Sequence, residues 1–167
     1  MKVSISTVCT ALITVCFLGC QSTPTPLTEL EEEEIKNEVR QAFENTTVAV
    51  NAHDAVKIME SCWNDNDYLY AAQGTLTKGW ERNNEISTAI HTDPKNKSFT
   101  LEYDETIIKV INRDAVLLVG RGYFHNILTE EGVNSVDIVI TFLLEKIDDK
   151  WLITVGHESY PEALLLL

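Results

Sequence analysis

The chain has 167 residues, 44% of them hydrophobic, enough for one globular core and too few for two ordinary domains once the ends are set aside. Its 13 basic and 26 acidic side chains give a formal net charge of −13, which repels phosphate backbones and anionic lipid and excludes nucleic acid as an expected partner. Cysteines stand at 9, 16, 20 and 62, and because the first three belong to an apolar leader, Cys62 has no partner for a disulfide framework.

Met1-Lys2 followed by the apolar stretch Val3–Leu18 has the charged start and short hydrophobic run of a secretory signal. It is too short, and too broken by Ser and Thr, for a membrane-spanning helix. Phe17-Leu18-Gly19-Cys20 resembles the lipobox of bacterial lipoproteins, with Phe17 where that family usually has Leu. The resemblance implies a signal peptide over residues 1–19, cleavage before Cys20, and acylation of the Cys20 thiol and new amino terminus. Several acyl chains anchor a protein stably where one does not, so a membrane is expected as a partner only through this lipid anchor. Gln21 differs from the Asp that retains enterobacterial lipoproteins in the inner membrane. The expected address is therefore the outer membrane, facing the periplasm. Residues 20–28, Ser-, Thr- and Pro-rich behind the cysteine, read as an extended tether.

Thr28-Glu-Leu-Glu31 matches a capping box, and the acids at 29 and 31–34 suit the positive end of a helix dipole. Ile35, Val39, Ala42, Phe43 and Val50 recur at helical spacing to about Asn51. His53-Asp54 opens a second helix whose Val56, Met59, Cys62 and Trp63 share a face. Asn64-Asp-Asn-Asp67 ends it as a turn; a calcium loop would need further oxygen ligands and a glycine where Leu69 and Tyr70 stand. Tyr68–Gln73 reads as a short strand, Gly74–Gly79 as a turn, and Trp80–Thr92 as a third helix closed by Asp93-Pro94.

Four strands follow at about 98–111, 114–128, 133–147 and 151–160, joined by short polar turns that imply antiparallel hairpins. Two-residue turns at the first and third connections place Asp104 opposite Arg121, Glu102 opposite Tyr123 and Ile140 opposite His157. A four-residue turn at the second places Arg121 opposite Ile140. On that register one face has an apolar floor, including Val110, Ile108, Leu117, Val119, Phe142, Leu144, Trp151, Ile153 and Val155. Its polar rim holds Glu102, Asp104, Arg121, Tyr123, His125, His157 and Ser159. A floor grading into such a rim suits a small-molecule pocket. The opposite face is also too apolar to leave in water, which points to a homodimer through the sheet. A slip of one residue in any hairpin would exchange the two faces.

The order helix, helix with Trp63-Asn-Asp-Asn-Asp67, short strand, Gly79-Trp80 helix, then four strands ending in Lys150-Trp151 and His157-Glu-Ser159 resembles the SnoaL-like branch of the nuclear transport factor 2-like superfamily. The resemblance covers residues 29–161, leaving residues 162–167 as an apolar tail. It implies an α+β fold, a cone-shaped curved antiparallel sheet wrapped by three N-terminal helices, with a pocket inside and frequent dimers. It implies no single activity, since such folds include isomerases, cyclases, dehydratases and non-catalytic subunits. Ketosteroid isomerase, of the same fold, uses a tyrosine on the first helix and two inward acids. Here the first helix has no tyrosine, and Asp65 and Asp67 are equally explained by their turn.

His157 is a candidate general base because imidazole titrates near working pH and the inferred rim holds two acids; a structural, hydrogen-bonded histidine explains it as well. Asp104 is a second candidate base, and with Arg121 it reads either as a polarising clamp or as a cross-strand ion pair. Tyr123 and Glu102 share that ambiguity, and Trp63 and Trp80 either wall the cavity or pack the core. No histidine spacing marks a metal, and no glycine-rich phosphate loop is present. The expected function is binding of a small, partly apolar molecule without a cofactor. Alternatives are a cofactor-free lyase or isomerase using His157 or Asp104, and a non-catalytic dimeric assembly module.

Overall fold

A computed structural model describes residues 26–96, 98–129 and 132–160. The leader, Cys20, the start of the tether and the chain from residue 161 onward lie outside the described residues. The first helix, α1 (Glu29–Asn51), starts at the expected capping box: the Thr28 hydroxyl accepts the Glu31 amide at 3.2 Å while the Glu31 carboxylate accepts the Thr28 amide at 2.8 Å. Its buried stripe is Ile35, Val39, Phe43 and Ala49. At the far end the Asn51 side chain exchanges two hydrogen bonds with the Leu101 backbone, at 2.9 and 2.6 Å. Further along, Glu38 accepts from both Lys146 Nζ and Trp151 Nε1 at 2.8 Å. These bonds pin α1 across the sheet.

The second helix, α2 (Ala55–Glu60), is short, and Asp54 caps it by accepting the Lys57 amide at 3.1 Å. Met59 and Cys62 are buried as expected, but Val56 is 68% exposed. The helix stops before Cys62, which instead forms a parallel bridge with Ile153. The stretch Gly74–Gly79, expected as a turn, is a strand for most of its length. Gln73 and Gly74 take φ of 48° and 76°, a two-residue hairpin that joins β1 (Leu69–Ala72) to β2 (Thr75–Lys78). The third helix, α3 (Trp80–Thr92), has the expected bounds.

The long strands are β3 (Thr100–Asn112), β4 (Ala115–Thr129), β5 (Gly132–Ile147) and β6 (Lys150–Ser159). They are antiparallel to one another, and β1 adds in parallel on β6, giving the order β2-β1-β6-β5-β4-β3. The result is an α+β fold in which helices pack on one side of a curved, unclosed six-stranded sheet. The core between them contains Val39, Phe43, Met59, Leu118, Ile138 and Ile140. No helix among the described residues is long and apolar enough to cross a membrane.

The hairpin turns do not keep a constant register, because each ladder carries an irregularity. In β3, shifts between Val110 and Asn112 and between Tyr103 and Glu105 place Arg121 opposite Glu105 rather than Asp104; Glu102 does lie opposite Tyr123. The β4–β5 ladder shifts between Phe124 and Ile127, where Asn126 takes φ 59°, so Arg121 meets Val139 and not Ile140. In β6, Ile153 pairs with Leu144 and Val155 with Leu143, leaving Thr154 as an extra residue, and His157 meets Thr141 rather than Ile140. Thr154 is buried, its hydroxyl donating to the Leu143 carbonyl at 3.4 Å.

These shifts correct the expected faces. Val110, Ile108, Phe142, Leu144, Trp151 and Ile153 do face the helices, but Leu117, Val119 and Val155 share the opposite side with the polar rim. That side carries no helix among the described residues, and Ile107 and Ile111 on it are 57% and 55% exposed.

Candidate functional site

Beyond the Thr154 bulge the inward positions of β6 become Gly156, Glu158 and, just past the strand, Tyr160. Glu158 lies opposite Ile140 of β5 and Ala72 of β1, both on the helix side of the sheet. Gly156 lies opposite Tyr70, and a Cβ there would stand 2.5 Å from the Tyr70 ring at Cε2, so only glycine lets that ring rest on the strand. The Tyr70 hydroxyl is the neighbour that acts on the Glu158 carboxyl. Tyr68 on the same segment donates to Cys62 Sγ at 3.3 Å. Tyr103 packs on Phe43 with ring centroids 4.8 Å apart, and the Tyr68 and Tyr70 rings are 6.5 Å apart.

Burial governs the electrostatics of this cluster. It pushes the Glu158 carboxyl above the ordinary glutamate range, partly offset by the Tyr70 bond. Burial and then the charge of Glu158 hold Tyr70 and Tyr103 well above their ordinary values and Tyr160 at about 12. Tyr68 is raised by burial and by Cys62, whose own thiol is pushed up to about 11 by burial. Glu158, Tyr70 and Tyr103 are half-buried together on the helix side of the sheet. One acid reluctant to ionise, ringed by neutral phenols and aromatic walls, can orient a small molecule or move a proton on it.

The residues expected at the pocket rim do come together, but on the open face. Arg121 binds Asp104 through two nitrogens at 2.9 and 3.3 Å, with Tyr123 donating to Asp104 at 3.4 Å and Glu105 3.6 Å from Arg121. The Arg121 bonds hold the Asp104 carboxyl below the usual carboxylate range. Glu102 lies 3.4 Å from His125 Nε2, and His125 Nδ1 is 2.9 Å from Ser135 Oγ. His157 is exposed on this same face, and the acid contact there belongs to His125 instead. None of Glu102, Asp104, Arg121, Tyr123 or His157 faces the helix side of the sheet. Trp80 is half-buried against the core with its indole N–H donating to the Met59 carbonyl at 3.0 Å. Trp63 is half-buried beside β6, its backbone amide on the Ile153 carbonyl. Asp65 and Asp67 belong to the turn after α2, where Asp65 accepts the Asp67 amide at 2.8 Å. No cluster of three or more His, Cys, Asp or Glu side chains suited to a metal occurs among the described residues.

No protein-family model and no curated protein sequence matches this chain. Solved structures do match. A protein of unknown function from Shewanella oneidensis MR-1, described as NTF-2 like, is 24% identical with a TM-score of 0.63 over 75% of this chain and 98% of that one. A nuclear transport factor 2 (NTF2-like) superfamily protein from Salmonella enterica serovar Typhimurium is 15% identical, with a TM-score of 0.63 over 78% and 93%. The fold is NTF2-like. LinA superposes with a TM-score of 0.68 at 14% identity, over 81% of this chain and 91% of that one.

In this NTF2-like cone the site residues that sequence reasoning missed are Glu158, Tyr70, Tyr68 and Tyr160. The one available signal is Gly156, since an isolated glycine inside a strand marks a bulge or a close approach. Because the folded Glu158 carboxyl lies above the 4.5 of an ordinary glutamate, the native state holds that proton more tightly than the unfolded chain. The stabilising effect is full below 4.5 and is lost as pH rises through the folded value. In urea unfolding from about pH 4 to about pH 9, the stability of wild type relative to Glu158→Gln should therefore fall as pH rises above 4.5 and level off beyond the folded value. A difference that does not change with pH would place the carboxyl in water.

Proposed function

We propose that this NTF2-like domain binds a small, partly apolar molecule inside its cone, with Glu158 and Tyr70 as the polar anchor. The observation that supports this reading most is the placement of Glu158 on the helix side of β6, opposite Ile140 and Ala72, with the Tyr70 ring seated on neighbouring Gly156. An acid turned to the helix side and made reluctant to ionise is a cost that folding alone does not explain, and such groups concentrate at binding and catalytic sites. Mass spectrometry of what co-purifies with the protein tests it. Glu158→Ala should weaken retention by roughly 10- to 100-fold, the effect of losing a hydrogen bond to a charged group, while His157→Ala retains the molecule. Equal retention by wild type and Glu158→Ala contradicts the assignment.

A second reading, a cofactor-free lyase or isomerase, is favoured by the same carboxyl. An acid held above its ordinary range beside a phenol is poised to take a proton from carbon while a tyrosine hydroxyl stabilises the oxyanion that forms. In that reading the base is Glu158, since His157 and Asp104 lie on the far side of the sheet.

Anchoring by Cys20 at the outer membrane, facing the periplasm, and pairing through the open face complete the proposal. The lipobox-like Phe17-Leu18-Gly19-Cys20 supports the first. Exposed Ile107, Ile111, Val139 and Val155 on one sheet face support a homodimer. Labelled palmitate should enter the wild type and not Cys20→Ser, and Val139→Asp with Ile107→Glu should halve the mass in solution; acylation of the serine variant or an unchanged mass refutes the corresponding part.

A further inference from the structure

Two of the four histidines, 38 positions apart in the chain, meet in the fold: His53 Nδ1 and His91 Nδ1 stand 3.4 Å apart. His53 occupies the junction of α1 and α2, where its φ of 53° is a left-handed conformation uncommon for a residue with a side chain. The backbone holds it there, its own amide donating to the Val50 carbonyl and the Asp54 amide to the Ala49 carbonyl, each at 3.0 Å. His91 projects from the last turn of α3. Both rings are half-buried and pack on the buried Phe99 ring, with centroids 4.6 Å away for His53 and 5.5 Å for His91. Three segments of the chain thus fix the pair.

The spacing is informative. A ring N–H in a direct hydrogen bond prefers about 2.9–3.0 Å, so 3.4 Å is long for one. Two imidazole nitrogens held at about 2.0–2.1 Å by one tetrahedral zinc ion stand about 3.3–3.4 Å from each other. The rings meet nearly end to end, with centroids 5.6 Å apart, and a slight turn of either aims both lone pairs at one point. The carboxylates next in the chain are engaged elsewhere, Asp54 accepting the Lys57 amide and Asp93 the Lys95 amide. The protein therefore supplies two ligands here, in keeping with the lack of any larger cluster among the described residues, and the other coordination positions fall to water or a bound molecule. Imidazole suits zinc, nickel and copper, whereas magnesium and calcium prefer oxygen. The net charge of −13 draws cations toward the molecule.

We propose that His53 and His91 form a two-histidine site for a divalent transition metal, zinc being the ion the spacing fits, and that the ion ties the α1–α2 junction to the end of α3. The site is separate from Glu158 and does not depend on the cone reading.

The test is equilibrium dialysis of the purified, untagged full-length chain against zinc chloride at neutral pH, with magnesium and calcium run beside it. Three variants are compared, each with its melting temperature as a check on folding. His53→Asn keeps a side chain at home in the left-handed conformation, His91→Gln keeps a good helix former, and His125→Gln on the open face is the control. The expected result is one zinc per chain in wild type and His125→Gln, an affinity loss of at least about tenfold in His53→Asn and in His91→Gln, and no binding of magnesium or calcium. Zinc should raise the melting temperature of wild type and not of those two variants. In proton NMR it should move the ring resonances of His53 and His91 and leave those of His125 and His157 in place. Zinc held equally well by either folded variant, lost in His125→Gln, or absent from wild type overturns the site. Should a variant fail to fold, the NMR of wild type decides: shifts confined to His125 and His157, or none, overturn it.

Discussion

One extra residue in β6 decides which side of the sheet carries the chemistry. Without it, an alternating strand that turns Trp151 and Ile153 toward the helices would also turn Val155, His157 and Ser159 inward. Thr154 takes an additional place between Ile153 and Val155, and from there on Gly156 and Glu158 face the cone while His157 faces out. The bulge is stabilised locally, since the buried Thr154 hydroxyl has a carbonyl partner in Leu143. The end of the strand stabilises it as well: Gly156 leaves room for Tyr70, and Tyr70 reaches Glu158.

Two polar clusters thus lie back to back on one sheet, and their surroundings give them different weights. The Asp104, Arg121 and Tyr123 group is exposed to solvent, where a pair of this kind contributes about 0–1 kcal/mol and is screened by salt. The Glu158 group is enclosed, where water screens little and every charge or missing partner matters more. This contrast is why the functional reading follows the smaller cluster with the plainer residues. The open cluster borders exposed Ile107 and Val139, a placement that suits the edge of a protein contact.

Much of the fold was legible because its signals are local. The Thr28 and Glu31 box, the apolar spacing of α1, the bounds of α3 and the four long strands follow from caps, periodicity and turn residues. The expected pairing of Glu102 with Tyr123 holds because the two shifts in β3 together offset a hairpin turn that lies at Arg113-Asp114, one residue later than Asn112-Arg113. The Gln73-Gly74 hairpin was passed over because β2 is four residues long and mostly exposed, with little pattern to read. The site was misplaced for a stronger reason. Side-chain direction along a strand has a period of two, so each bulge reverses everything beyond it. Shifts near Asn112, Asp104, Asn126 and Thr154 depend on how distant segments pack, and only Asn126 and Gly156 leave a trace in composition.

The central claim, that the Thr154 bulge turns Glu158 into the cone and His157 out of it, is tested most directly by carbon-detected NMR titration of the Glu158 carboxyl in the folded protein. A midpoint above 4.5, accompanied by shifts of the Tyr70 and Tyr103 ring resonances, is the predicted result. A Glu158 midpoint at or below 4.5 with those rings undisturbed would mean that the strand runs without its extra residue and that the cone is lined differently.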